Sequence, residues 1–173
     1  MRNIPVNVFD PASVAKAIKM LHSYRQEVEQ KTVMLAQRLT DLGADIARIK
    51  IVEMGAVYTG ELLSSVSGYY SPTLNIGYIQ VSSEHAAFVE FGTGVALKNT
   101  MHPNGEYLAK AAWSYGIGEH IFTTQNGKIG WYYPTDDGGF RFTEGMESRP
   151  FMYETALELE AQLLLIAQEV FSG

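Results

Sequence analysis

His85-Ala86-Ala87-Phe88-Val89-Glu90-Phe91-Gly92-Thr93-Gly94 sets one carboxylate inside an apolar run and closes it with Gly-Thr-Gly. Phe88, Val89 and Phe91 favour a pleated, half-buried backbone, so the stretch is predicted to be a buried strand running into a tight turn. A lone acid in such surroundings needs a hydrogen-bonding partner or a route to water. Gly92 and Gly94 permit positive φ or a close backbone approach, which places the sharp turn there. Glu90 is therefore expected to cap the turn amides at Thr93 or Gly94, or to meet an arginine from a neighbouring copy.

Immediately upstream, Leu74 to Val81 reads as a strand, with Leu74, Ile76 and Tyr78 on one face and Ile79 and Val81 on the other. Its economical partner is the Glu90 stretch, in a hairpin. Ser65 to Tyr70 alternates weakly, and Ser71-Pro72-Thr73 supplies a turn. Gly55 and Gly60 bracket a loop ahead of Thr59-Gly60-Glu61-Leu62-Leu63-Ser64-Ser65.

The chain begins with an extended segment, residues 1–9, where Ile4, Val6 and Val8 share a side and Pro5 argues against a central strand. It is either an arm reaching another subunit or a docked terminus. Asp10-Pro11 then signals a helix start, an N-cap acceptor followed by proline at the first helical position. Val14, Leu21, Val28, Leu35, Leu42 and Ile49 recur every seven residues, with Ile18, Leu39 and Ile46 in the companion seam. Such a seam suits a long helix lying against another helix. Arg25 and Thr32 interrupt it at the polar section 23–31, Thr32 just past its end, and that section is expected to be exposed, kinked or packed on another subunit. Gly43 weakens a helix by about 1 kcal/mol relative to alanine and is expected to mark a bend or an end. One projecting helix and two consecutive core helices both fit the pattern.

Downstream of Gly94 the sequence reads as an excursion, with a loop insertion expected over 95–127. Met101-His102-Pro103-Asn104-Gly105 is a turn, and Glu106 to Tyr115 a short helix closed by Gly116. Lys128 to Thr135 is an aromatic strand containing Trp131, Tyr132 and Tyr133; Asp136-Asp137-Gly138-Gly139 turns the chain, and Phe140 to Thr143 returns. Aromatics at this density point to a core or a protein interface. Pro150 opens a C-terminal helix, whose main apolar stripe of Met152, Ala156, Leu159, Leu163, Ile166 and Val170 is widened by Leu157, Leu164 and Phe171.

Four blocks in this order, Thr59 to Ser65, His85 to Gly94, Gly130-Trp131-Tyr132-Tyr133-Pro134 and Arg149-Pro150-Phe151-Met152, resemble the tail-component family of long-tailed bacteriophages. These are neck or tail-completion proteins at the junction of tail and head. The resemblance covers about residues 57–156 and does not extend to the span 95–128. It implies a virion structural protein, made in the cytoplasm of the host bacterium. The resemblance further implies a homo-oligomeric ring, hexameric, around the DNA path, in contact with other neck and tail proteins. A ring of this kind needs a heterologous interface. The two candidate patches are the helix seam, including Val28 and Leu35, and the aromatic hairpin with Trp131, Tyr132 and Tyr133. Phe88, Glu90, Phe91, Gly92, Thr93 and Gly94, with Pro150 and Phe151, would hold the framework that positions those patches.

Composition agrees with a single folded α+β domain over 1–173. The expected architecture is a long N-terminal helix, a mostly antiparallel sheet, a C-terminal helix on that sheet and the central loop insertion. Ten Tyr and eight Phe accompany no cysteine, which excludes disulfides and thiolate metal sites. The N-terminus lacks the features of a signal peptide, and no apolar run of about 18 residues is long enough for a membrane span. A net charge of −6 without a basic cluster argues against a module that grips DNA, whereas an acidic wall would let DNA slide past.

Catalytic motifs are scarce. There is no Gly-x-Ser-x-Gly elbow, phosphate loop or His-Glu-x-x-His helix, and the histidines at 22, 85, 102 and 120 lack ligand spacing. Glu119-His120 and Asp136-Asp137 are the nearest approaches to a constellation, and the latter lies in a turn. No catalytic residue, cofactor or metal is expected. The alternative is a small metal-dependent hydrolase centred on Glu90 with His85 and His120, in which burial raises the pKa of the acid.

Overall fold

The computed structural model describes residues 4–93, 102–111, 122–135 and 137–172. α1 runs unbroken from Pro11 to Glu53, 43 residues and about 64 Å of helix, so one helix forms where two were an alternative. It starts as its sequence predicts: the Asp10 carboxylate accepts the Ala12 amide at 3.1 Å, and Pro11 follows. It stops where the Met54 amide reaches Lys50 O, Gly55 takes φ +62° and the Ala56 amide returns to Ile51 O.

Gly43 does not end α1, which runs on for ten residues beyond it. A Cβ there would lie 2.7 Å from Leu159 Cδ1 and collide with Ile79 Cδ1, so the missing side chain is what lets three elements meet. The buried stripe of α1 is made of small residues, Thr40, Gly43, Ala44 and Ala47, with Ile46 and Ile51. This differs from the predicted seven-residue seam: Ile18, Leu21 and Ile49 are exposed, and Val28, Leu35, Leu39 and Leu42 are half-buried. Close packing selects small side chains, which a reading based on apolar bulk does not pick out.

α2 (Glu61–Ser64) leads into β1 (Val66–Ser71), which pairs antiparallel with β2 (Ile76–Val81) from Val66 opposite Val81 to Ser71 opposite Ile76. β2 therefore pairs with the preceding segment, and the expected hairpin with the Glu90 stretch does not form. That stretch is itself a helix, α3 (Ala86–Phe91), where a strand was predicted. Its six residues are too few for periodicity to separate helix from strand, Ala86 and Ala87 favour helix, and tertiary contacts outweigh the β-preference of Phe and Val. Gly92 ends it at φ +79°, in keeping with the predicted sharp turn.

α4 (Gly105–Lys110) forms where a short helix from Glu106 to Tyr115 was expected and gives way to a turn at Ala111; 112–115 lie outside the described residues. Gly94 and most of the expected insertion, His120 included, lie outside the described residues. β3 (Phe122–Thr123), β4 (Ile129–Pro134) and β5 (Phe140–Thr143) form a second antiparallel sheet in sequence order, with Trp131 opposite Thr143 and Pro134 opposite Phe140. The turn between β4 and β5 is closed by Thr135 and Gly139. The Asp137 carboxylate accepts from the Gly139 amide at 3.2 Å and from the Thr135 hydroxyl.

α5 (Phe151–Ser172) lies antiparallel to α1. Lys50 meets Glu158 at 3.0 Å, Arg38 meets Glu169 at 3.5 Å, and Lys31 Nζ donates to Phe171 O at 3.3 Å. α1 also crosses the β1–β2 hairpin, where Thr40 sits against the bare backbones of Gly68 and Gly77. α5 reaches that sheet through Leu159 beside Ile79. The result is an α+β fold whose core gathers Ala44, Ala47 and Ile51 of α1 with Ala56, Leu62, Val66, Val89 and Phe151.

Candidate functional site

Three of the sequence blocks each give one side chain to that core: Leu62, Val89 and Phe151. The latter two are joined beyond it by a polar joint centred on Glu90. Its carboxylate accepts the Met152 amide at 2.8 Å on Oε2 and the Tyr153 amide at 3.0 Å on Oε1. These are among the orphan donors at the start of α5, where a negative group is favoured. Glu90 thus caps a helix some sixty residues further along the chain, where the amides of its own turn were expected. An acid in a six-residue helix points away from its own C-terminal turn and toward what packs beside it.

The third partner is His102. Its Nε2 lies 3.1 Å from Glu90 Oε1, and its side chain is fully shielded from solvent. His102 Nδ1 lies 3.1 Å from the Asn104 N–H and 3.3 Å from Asn104 O; when it accepts from that N–H, Nε2 is the nitrogen that donates to Glu90. Phe91 and Tyr153 flank the ring with centroids 5.3 and 5.4 Å away. Three donors thus converge on one carboxylate. Burial pushes the Glu90 carboxyl above its ordinary value; the Met152 amide, His102 and the Tyr153 amide pull it back without cancelling that effect.

Around this centre the segment 146–149 is laced to 89–93. The Thr93 amide donates to Met146 O at 3.0 Å while Met146 N donates to Thr93 Oγ1 at 3.1 Å. Ser148 Oγ donates to Glu90 O at 2.6 Å, and the Arg149 amide to Val89 O at 2.8 Å. Gly92 makes the approach possible: a Cβ there would stand 2.7 Å from Ser148 N and 2.9 Å from Met146 O.

Glu90, Phe91, Gly92, Thr93, Pro150 and Phe151 are therefore brought together, whereas Phe88 of the same helix faces outward. His85, proposed with His120 as a companion of Glu90, is exposed at the start of α3, beside Tyr133 and Arg141 in a cleft of about 580 Å³. His102 and Ser148 were not singled out by sequence. The signals were a buried acid without a partner and a hydroxyl just before a helix start. Among the described residues, no group of three or more His, Asp or Glu could hold a metal ion.

The other candidates lie apart from the joint, Tyr132 and Tyr133 exposed and Val28, Leu35 and Trp131 half-buried. Trp131, Tyr132 and Tyr133 stand on β4 in a ribbon along which none of the described helices packs. Tyr132 meets Phe142 and Phe122 edge-on, at 5.4 and 6.0 Å, while Phe140 is 71% exposed. From residue 11 to residue 39 of α1 only Ala17 is buried. α5 runs out beside Lys31, leaving the first five turns of α1 without it. Ile18 is 51% and Leu21 54% exposed there, and Phe9, just ahead of the helix, is almost fully so. Among the described residues no helix is long and apolar enough to cross a membrane. No known protein family matches this chain, nor does any curated protein or any solved structure.

Proposed function

We propose that this chain is a structural protein of the bacteriophage virion, completing the tail or joining it to the head. It acts as a ring, hexameric in the family it resembles, around the path of the DNA. The observation that carries the reading is the division of the molecule into a welded joint and bare apolar surfaces. Three of the four blocks that carry the resemblance meet in the core at Leu62, Val89 and Phe151, and two of them meet again at Glu90. The N-terminal part of the α1 seam, with Ile18 and Leu21 exposed, and the aromatic ribbon lie away from α5. Apolar surfaces of that extent on a folded chain mark sites of association. Two different surfaces on one protomer are what a cyclic, heterologous assembly uses. A buried carboxylate already engaged by three donors suits a framework role better than turnover, which needs an acid open to a substrate. The net charge of −6 suits a lumen that DNA traverses without being held.

A phage whose copy of this chain is interrupted by an early stop codon should produce filled heads and separate tails that fail to join or to terminate. The chain should be found by mass spectrometry in intact wild-type particles. Infectious particles of normal appearance made without it would overturn the proposal.

A further inference from the structure

α5 carries a second apolar stripe that the fold leaves bare, and the N-terminal half of α1 carries one with Leu21 exposed and Val14 and Val28 half-buried; the two stripes are complementary. On α5, Leu157, Ala161, Leu164 and Phe171 follow one another at seam spacing on the outer face, with Leu164 71% exposed. The charge of α5 is wholly acidic: Glu154, Glu158, Glu160 and Glu169, with no Lys, Arg or His. The first sixteen residues of α1 are the reverse, with Lys16, Lys19 and Arg25 and no Asp or Glu.

We infer, resting on the reading of this chain as a self-assembling ring part, that the bare N-terminal half of α1 docks antiparallel along the outer face of α5 of the next copy. The register that matches both patterns sets Leu21 against Leu164, Val28 against Leu157, and Arg25, the polar break in the α1 seam, against Glu160. A zipper over 14–28 is about 21 Å long, the length of the α5 stripe. In the single chain Arg25 leans on Glu29 at 2.7 Å, an exposed pair of small worth that can be exchanged for Glu160. The contact is heterologous, because the α1 surface of one copy meets the α5 surface of another, and it can therefore close a ring. It also cannot form within one copy. The Lys50–Glu158 and Arg38–Glu169 pairs place Leu164 alongside roughly residue 44 of its own α1, about 35 Å along the helix from Leu21.

The chain has no cysteine, so disulfide trapping reads the contact directly. Leu21→Cys and Leu164→Cys are surface changes whose folding is checked by circular dichroism. Mixed under mild oxidation, the two full-length variants should give a covalent dimer that neither gives alone, and the double variant a ladder of multimers. Arg25→Glu or Glu160→Arg should each weaken association about tenfold, and the two together should restore it. Dimers from Leu21→Cys alone, or from Leu164→Cys alone, would show a symmetric contact and overturn the inference. So would a mixture that assembles by light scattering yet yields no disulfide, which leaves the ring itself standing. A chain that stays monomeric throughout also overturns it, and the particle experiment above then judges the virion role separately.

Discussion

Adding a single methyl group at Gly92 should cost this fold more than almost any other change of that size. The residue sits at φ +79° and ψ 169°, a region essentially restricted to glycine, where another residue stores about 1–3 kcal/mol of strain. The new Cβ would also stand 2.7 Å from Ser148 N, 2.9 Å from Met146 O and 3.1 Å from Glu147 C, all backbone atoms that cannot swing aside. Relief requires 146–149 to draw back, which stretches the Thr93–Met146, Ser148–Glu90 and Arg149–Val89 hydrogen bonds. Losing two of them adds about 1–3 kcal/mol. Gly92→Ala should therefore destabilise by about 2–6 kcal/mol, where an unstrained Gly→Ala stabilises by about 0.4–1 kcal/mol. Gly60→Ala is the internal control: φ is +83° there with no atom within 4 Å of the added Cβ, so only backbone strain of about 1–2 kcal/mol applies. Urea unfolding followed by circular dichroism at low protein concentration measures both variants. Hydrogen exchange at the Thr93, Met146 and Arg149 amides should quicken in the first variant and not in the second. Equal losses at Gly92 and Gly60, or a loss under 1 kcal/mol at Gly92, would refute the close approach of 89–93 to 146–149.

Three further outcomes are expected. Burial holds the Glu90 carboxyl above its ordinary 4.5, so the folded chain binds that proton more tightly than the unfolded one. The associated stability is present below 4.5 and lost as pH rises through the raised value. Glu90→Gln removes that slope. The wild-type urea midpoint minus that of the variant should fall with rising pH; a difference that rises toward neutrality would mean that the amides and His102 outweigh burial. Gly43→Ala should lower the thermal midpoint, with overpacking against Ile79 and Leu159 costing about 1–3 kcal/mol against a gain of about 1 kcal/mol in helix propensity; a raised midpoint would mean that the three elements do not pack as closely as they lie. Leu21→Asp should leave stability within about 0.5 kcal/mol, because the site is exposed, yet abolish self-association in sedimentation velocity.

Much of the architecture is written in short-range signals. Asp10-Pro11 starts α1, Asp137-Gly138-Gly139 closes the aromatic ribbon, Pro150-Phe151 opens α5, and Gly92 takes the positive φ that its place after an apolar run suggests. Each depends on the chemistry of a few adjacent residues, which a sequence displays in full. The α+β class follows from the sum of such signals. Three features do not: that 86–91 is a helix, that Glu90 caps α5 and meets His102, and that small residues of α1 face the core. All three depend on neighbours brought close only when the chain is folded. Six apolar residues fit a helical or an extended period equally, and a carboxylate binds whichever donors the fold delivers to it. A glycine inside a helix has value only when another element lies close enough to need the space.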